Sequence, residues 1–121
     1  MAQRLQTGAA GEAIARRYLR RKGYRIIDSN WSTRLGELDI IAKQADMLVF
    51  VEVKTRRGAS TDSALESITA AKHERMLKAV YQFLHDHDMD SQTQWRIDVI
   101  AVALPAQGAP RIDHVEDAFD W

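Results

Sequence analysis

Two short stretches of the chain could do chemistry together. In FVEVKTR, Phe50 to Arg56, the carboxylate of Glu52 and the ammonium of Lys54 interrupt a run of valines. Shortly before it, GELDII, Gly36 to Ile41, sets Asp39 among leucine and isoleucines. Alternate residues of a strand share a face. Leu48, Phe50, Glu52 and Lys54 therefore point one way and Val49, Val51 and Val53 the other. In GELDII, Glu37, Asp39 and Ile41 share one face, and Leu38 and Ile40 the opposite one. Antiparallel neighbours lie roughly 5 Å apart, so Asp39 stands beside Glu52 where the register allows it. Two carboxylates that close repel unless a proton or a cation intervenes. Oxygen ligands at this density suit Mg²⁺ or Mn²⁺, which take carboxylates plus waters. An isolated Glu-x-Lys at a strand end would read as a solvated ion pair. The company of Asp39 sets this one apart.

These residues need elements to position them. Gly8 to Lys22 reads as a helix, with Ala10, Ile14, Ala15, Tyr18 and Leu19 on one apolar stripe and Arg16, Arg17, Arg20 and Arg21 opposite. Glu12 lies at the stripe's edge, roughly 20° around the helix from Leu19. It can look toward a sheet, or it can be a solvated residue near a helix N-terminus. Gly23 follows where a helix-ending glycine is expected. Tyr24 to Ile27 reads as a short strand, Asp28-Ser29-Asn30 as a turn, and Leu38 to Ala42 and Met47 to Thr55 as strands of a hairpin. Gly58 to Ser63 reads as a loop. A long helix runs from Ala64 or Thr69 to His85, its inner face drawn from Ala70 or Ala71, Met76 or Leu77, Val80, Phe83 and Leu84. Trp95 to Leu104 is a further strand, Arg111 to His114 a short edge strand, and Val115 to Phe119 a closing turn of helix. The order α-β-β-β-α-β predicts an α/β fold, a mixed sheet flanked by helices.

The 121 residues suit one compact domain, 1–121. Cys is absent, which removes disulfides, thiolate metal sites and Cys nucleophiles. No apolar stretch reaches the length of about 20 residues needed to cross a membrane, and the N-terminus lacks the pattern of a secretory signal. A cytoplasmic protein with no membrane partner is expected. Net charge is zero, but residues 1–57 carry twelve Lys/Arg against six Asp/Glu, and residues 58–121 carry five against eleven. Opposed halves permit a basic face on a neutral domain. The run His85-Asp86-His87-Asp88 cannot face one ion, because successive helical residues project about 100° apart. His73 and His114 stand singly, and Asp98 reads as a structural partner for Arg or Lys.

The order of Glu12, GELD and EVK resembles the PD-(D/E)xK nuclease superfamily, the restriction-endonuclease-like fold. Over nearly the full chain the sequence is similar to the YraN-like family of small bacterial endonuclease-like proteins, themselves similar to archaeal Holliday junction resolvases. Gly8 and Glu12, Gly23-Tyr24, Asn30, Gly36 to Ile41, Phe50 to Arg56, Lys72, Arg96 to Val99, His114 and Ala118-Phe119 carry the likeness. GELDII followed by LVFVEVKTR is its specific part. The resemblance implies a metal-dependent endonuclease acting on nucleic acid, with DNA expected and branched DNA among the substrates. It implies Asp39 and Glu52 as ligands of Mg²⁺ or Mn²⁺, helped by the Val53 carbonyl. Lys54 would orient or activate the attacking water, and Glu12 would complete the site. Arg56 and Arg57, just beyond Lys54, and Lys72 would meet phosphates. The likeness also admits a homodimer, because cutting two strands symmetrically needs two sites. The chain departs from the superfamily in lacking a Pro before Asp39, where Leu38 stands. Trp31-Ser32-Thr33 precede Arg34 where many relatives place an Arg sooner, and Gly58 to Ser63 lack an aromatic residue. A catalytically silent nucleic-acid-binding module and a structural protein are the competing classes.

Overall fold

A computed structural model describes residues 2–89 and 92–119, with side chains from Thr7 onward. The elements are α1 (Ala2–Arg21), β1 (Arg25–Ser32), β2 (Glu37–Gln44), β3 (Met47–Arg57), α2 (Asp62–Glu66), α3 (Ala70–Asp86), β4 (Trp95–Leu104) and β5 (Arg111–Val115). The five strands make one mixed sheet in the order β1-β2-β3-β4-β5. Only β3 and β4 run parallel, joined over the sheet by α2 and α3. The predicted α/β architecture, a mixed sheet flanked by helices and compatible with a restriction-endonuclease-like core, is what the chain adopts.

The valine strand is apolar on both faces because both are covered. Val49, Val51 and Val53 pack with Ile40, Ala42, Ile100 and Val102 under Ala15 and Leu19 of α1. Leu48 and Phe50 pack with Leu38, Ile41 and Ile97 under Met76, Ala79, Val80 and Phe83 of α3. Phe50 meets Phe83 and Trp95 edge-on, at centroid distances of 5.5 and 6.1 Å. Helix α1 ends in a reverse bond from Tyr24 N–H to the Leu19 carbonyl, 3.0 Å, across Gly23 at φ +92°. That left-handed position favours glycine.

Several expectations are corrected. Helix α1 begins at Ala2, before Gly8. Tyr24 to Ile27 is not a strand closed by a turn at Asp28-Ser29-Asn30. The chain continues through it as β1, with a bulge at Ile27 and Asn30 at φ +53°. Pairing with β2 outweighs the turn preference of Asp-Ser-Asn, and the bulge absorbs the mismatch. The loop after Gly58 is shorter than predicted, because α2 forms over Asp62–Glu66. Val115 to Phe119 makes no helix. The chain turns at Asp117, φ +49°, because its N–H is drawn to Asp98 Oδ1, 3.0 Å away.

Asp98 is fully buried and ties the sheet to both termini of the fold. Arg96 Nε donates to its Oδ1 at 2.9 Å, and the same guanidinium reaches the Tyr24 hydroxyl at 2.8 Å. His114, read from the sequence as standing singly, is its other partner. Lys22 Nζ donates to the Tyr18 oxygen, 3.1 Å, leaving the phenol proton for His114 Nδ1, 3.1 Å. The Nε2–H of His114 then donates to Asp98 Oδ2 at 2.7 Å. Burial alone would raise the Asp98 pKa, but His114, Arg96 and the Asp117 N–H outweigh it and hold the carboxyl below its usual value. A depressed carboxyl stabilises the fold above its ordinary pKa, and that stability is lost as pH falls through the lower value. Asp98→Asn should therefore cost about 1.5–3 kcal/mol at pH 7, by removing the charge to which half-buried Arg96 bonds and leaving it only the more distant Glu116, 3.9 Å away. Urea unfolding should show the deficit shrinking below pH 4, and an equal deficit at all pH values would mean that packing, not charge, was lost.

Candidate active site

The ladder between β2 and β3 runs from Gln44↔Met47 to Ile40↔Val51 and stops. The next residues in register are Asp39 and Glu52. Here β2 leaves its neighbour while β3 continues beside β4 as far as Arg57↔Leu104. Asp39 spans the gap: its Oδ2 accepts the Val53 N–H at 2.8 Å. The strict alternation predicted for GELDII breaks at this point. Leu38 joins Ile41 under α3, whereas Ile40 faces α1, because the diverging strand rotates as it separates.

The fork opens a cavity of about 470 Å³. Asp39, Glu52, Val53 and Lys54 form its floor. Glu12 enters from α1, Lys72 and Arg75 from α3, and Thr33, Arg34 and Leu35 from the loop before β2. Two glycines allow these walls to close. A Cβ on Gly11 would lie 1.8 Å from Thr55 Oγ1, so α1 touches β3 with backbone alone, one residue from Glu12. A Cβ on Gly36 would lie 2.9 Å from the Arg75 carbonyl, so β2 rests on the backbone of α3.

The electrostatics of the cavity are unfavourable to its carboxylates. The Asp39 carboxyl is pushed up to about 8, first by burial, then by the charge of Glu52 and, more weakly, of Glu12; the Val53 N–H offsets part of this. Lys54 Nζ lies 2.9 Å from Glu52 Oε1. Burial works to lower its pKa, but the bond and charge of Glu52 outweigh that and raise it. The Lys72 amine lies against that of Lys54 and is lowered, chiefly by this contact. A divalent ion between Asp39 and Glu52 would relieve the same repulsion. The donor set fits such an ion, although among the described residues no three His, Cys, Asp or Glu side chains close up into a finished cage.

Glu12, Asp39, Glu52, Val53, Lys54 and Lys72, each a sequence candidate, line this one cavity. Arg56 and Arg57 do not. Both are exposed at the end of β3, and the Arg56 guanidinium folds back onto the Thr55 carbonyl at 2.8 Å. His87 Nδ1–H donates to the Phe83 carbonyl at 2.9 Å, a helix-end role. The sequence reading missed Arg34, Leu35 and Arg75. Arg75 falls one helical turn after Lys72, a spacing that could have revealed it. Arg34 and Leu35 had no signal beyond proximity to Gly36.

A family model described as uncharacterised protein family UPF0102 matches residues 11–102, from the glycine before Glu12 to near the end of β4. The chain belongs to this family. UPF0102, the YraN-like group anticipated from the motifs, has relatives across distant bacteria. A UPF0102 protein of Rhodococcus jostii is 44% identical over 122 residues, covering 98% of this chain and all of its own. One from Chloroflexus aurantiacus is 47% identical over 107 residues, 88% of this chain and 85% of its own. One from Syntrophotalea carbinolica is 47% identical over 118 residues, 98% and 94%.

The raised Asp39 carboxyl has a thermodynamic consequence. Its cost to the fold is absent below the ordinary carboxylate pKa near 4, grows as pH rises toward 8, and is constant above. Asp39→Asn keeps an acceptor for Val53 N–H and removes the repulsion. In EDTA the variant should be more stable than the parent by about 1–2 kcal/mol at pH 8, with the gain fading toward pH 4. A variant less stable at pH 8 would make Asp39 a structural acceptor rather than a strained functional group.

Proposed function

We propose that this UPF0102 protein is a cytoplasmic, metal-dependent nuclease, hydrolysing phosphodiester bonds in nucleic acid, with DNA the expected substrate. One observation carries the reading. Two carboxylates are held in contact at an open strand fork, with a lysine bonded to one of them and a second lysine behind it. A purely structural site would not retain such repulsion, whereas an anion-processing site needs it. Asp39, Glu52 and the Val53 carbonyl are the groups that would hold Mg²⁺ or Mn²⁺, which supplies Lewis acidity toward the phosphate and makes water more acidic.

The chain's own residues account for the rest. Lys54, freed from Glu52, donates to a non-bridging phosphate oxygen and balances the charge that grows there. Lys72, beside it, receives the neighbouring phosphate. Glu12 accepts a hydrogen bond from the attacking water and orients it from the α1 side. One ester P–O bond breaks as one forms to the water oxygen, and the water's proton passes to solvent while the leaving oxygen takes one up. Exposed Arg56 and Arg57 continue the positive lane beyond the cut.

Cleavage of labelled duplex, single-stranded and branched DNA, and of RNA, should appear with Mn²⁺ and vanish in EDTA. Lys54→Ala should lower the rate by about 10²–10³-fold. Mn²⁺ should also raise the Tm of the parent and not of Asp39→Asn. Binding without cleavage on every substrate would leave a nucleic-acid-binding module. Cleavage surviving in both variants would place the active centre elsewhere.

A further inference from the structure

The loop between β1 and β2 does not bury its leucine. Leu35 is 46% exposed, at the rim of the acidic and basic cavity. A single exposed leucine is ordinary on a protein surface. This one differs in three respects. First, the loop that carries it is braced. Thr33 N–H donates to the Gly36 carbonyl at 2.9 Å, and Leu35 N–H donates to Thr33 Oγ1 at 3.0 Å. The base of the loop is pinned in turn, because Gly36 rests on the backbone of α3. Second, the loop stands between two clefts. The candidate active site lies on one side, and a smaller cleft of about 340 Å³ reaching Gln82 and Asp86 of α3 lies on the other, and the leucine lines both. Third, its companions are of the kind that meet a phosphate chain. Arg34 precedes it in the loop, and Lys72 and Arg75 of α3 line the same cavity.

A braced apolar side chain flanked by cations, next to a site for phosphodiester chemistry, has the features of a wedge. Such side chains enter between stacked bases while the neighbouring cations hold the backbone. We propose that Leu35 inserts into the base stack beside the phosphodiester being cut, and that the preferred substrate is nucleic acid whose stack is already interrupted there. The inference rests on the nuclease reading and adds to it the feature that selects the substrate. Insertion into a continuous duplex requires a base step to open, which costs affinity. At a bulge, gap or branch the opening already exists, and the apolar contact is obtained without that cost. Lys54 and Lys72 act on charge alone and are indifferent to stacking, so Leu35 is the residue at this site able to read it.

The test uses two DNA duplexes of one sequence, continuous or with a single unpaired base at the mapped cut, each carrying 2-aminopurine at that step. Binding is followed in Ca²⁺ and cleavage in Mn²⁺. The parent should prefer the interrupted duplex by at least about tenfold and brighten the 2-aminopurine on binding. Leu35→Ala should bring the preference close to one and lose the brightening, while its Mn²⁺-induced rise in Tm matches the parent's. Leu35→Met, which keeps a long apolar side chain, should retain both. Leu35→Ala with unchanged preference and fluorescence would overturn the wedge, as would a parent that cuts both duplexes equally. A parent that neither binds nor cuts either duplex would instead remove the nuclease reading on which the wedge depends.

Discussion

The contact between the Asp39 and Glu52 carboxylates is the constraint around which this molecule is arranged. Asp39 and Glu52 are the next pair in the β2–β3 register, so the two strands bring them face to face at the point where the ladder ends. A single backbone donor, Val53 N–H, holds Asp39 across the gap. One hydrogen bond does not offset burial beside another carboxylate, so Asp39 keeps its proton near neutral pH. The surrounding apolar packing supplies the stability that allows this local cost to persist.

Comparison with Asp98 shows how the same side chain is put to opposite use. Asp98 is the more completely buried of the two, yet its pKa falls where that of Asp39 rises. The difference lies in the partners. Asp98 has a guanidinium, an imidazole N–H and a backbone N–H converging on its two oxygens. Asp39 has one amide and a like charge. The first arrangement ties β4, β5 and α1 together and asks for nothing further. The second is unfinished, and a half-buried carboxyl short of partners at the mouth of a cavity is where a ligand is to be sought.

Close approach around the fork is made by two glycines, Gly11 of α1 against the Thr55 side chain and Gly36 against the Arg75 carbonyl. Gly11 and Gly36 each precede a glutamate and each allow an element to lie where a methyl group would collide. Helix α1 thereby carries Glu12 to the rim of the site, and α3 brings Lys72 and Arg75 to the opposite wall. The charge split along the chain is not reproduced in the cavity. Of its four cations and four carboxylates, all four carboxylates, with Arg34 and Lys54, come from residues 1–57, and the net-acidic half contributes only the cations Lys72 and Arg75.

The sequence by itself determined the elements and the chemistry of the site. Period-two alternation of Val49, Val51 and Val53 against Leu48 and Phe50 was enough to define β3 and to place Glu52 and Lys54 on one face. The stripe through Ala15 and Leu19 was enough to place Glu12 near the sheet. These are local, periodic signals, and side-chain direction follows from them directly. The motifs also identified the family. Tertiary structure alone decided where β2 leaves β3, since a strand's length in a ladder depends on its partner and on what packs above it. It turned Asp28-Ser29-Asn30 from a turn into β1, because pairing energy summed along a strand exceeds the preference of three residues. It gave His114 its partners across the sheet, and it set Leu35 and Arg34 at the rim of the cavity. None of these contacts is local in the chain, so no spacing could have announced them.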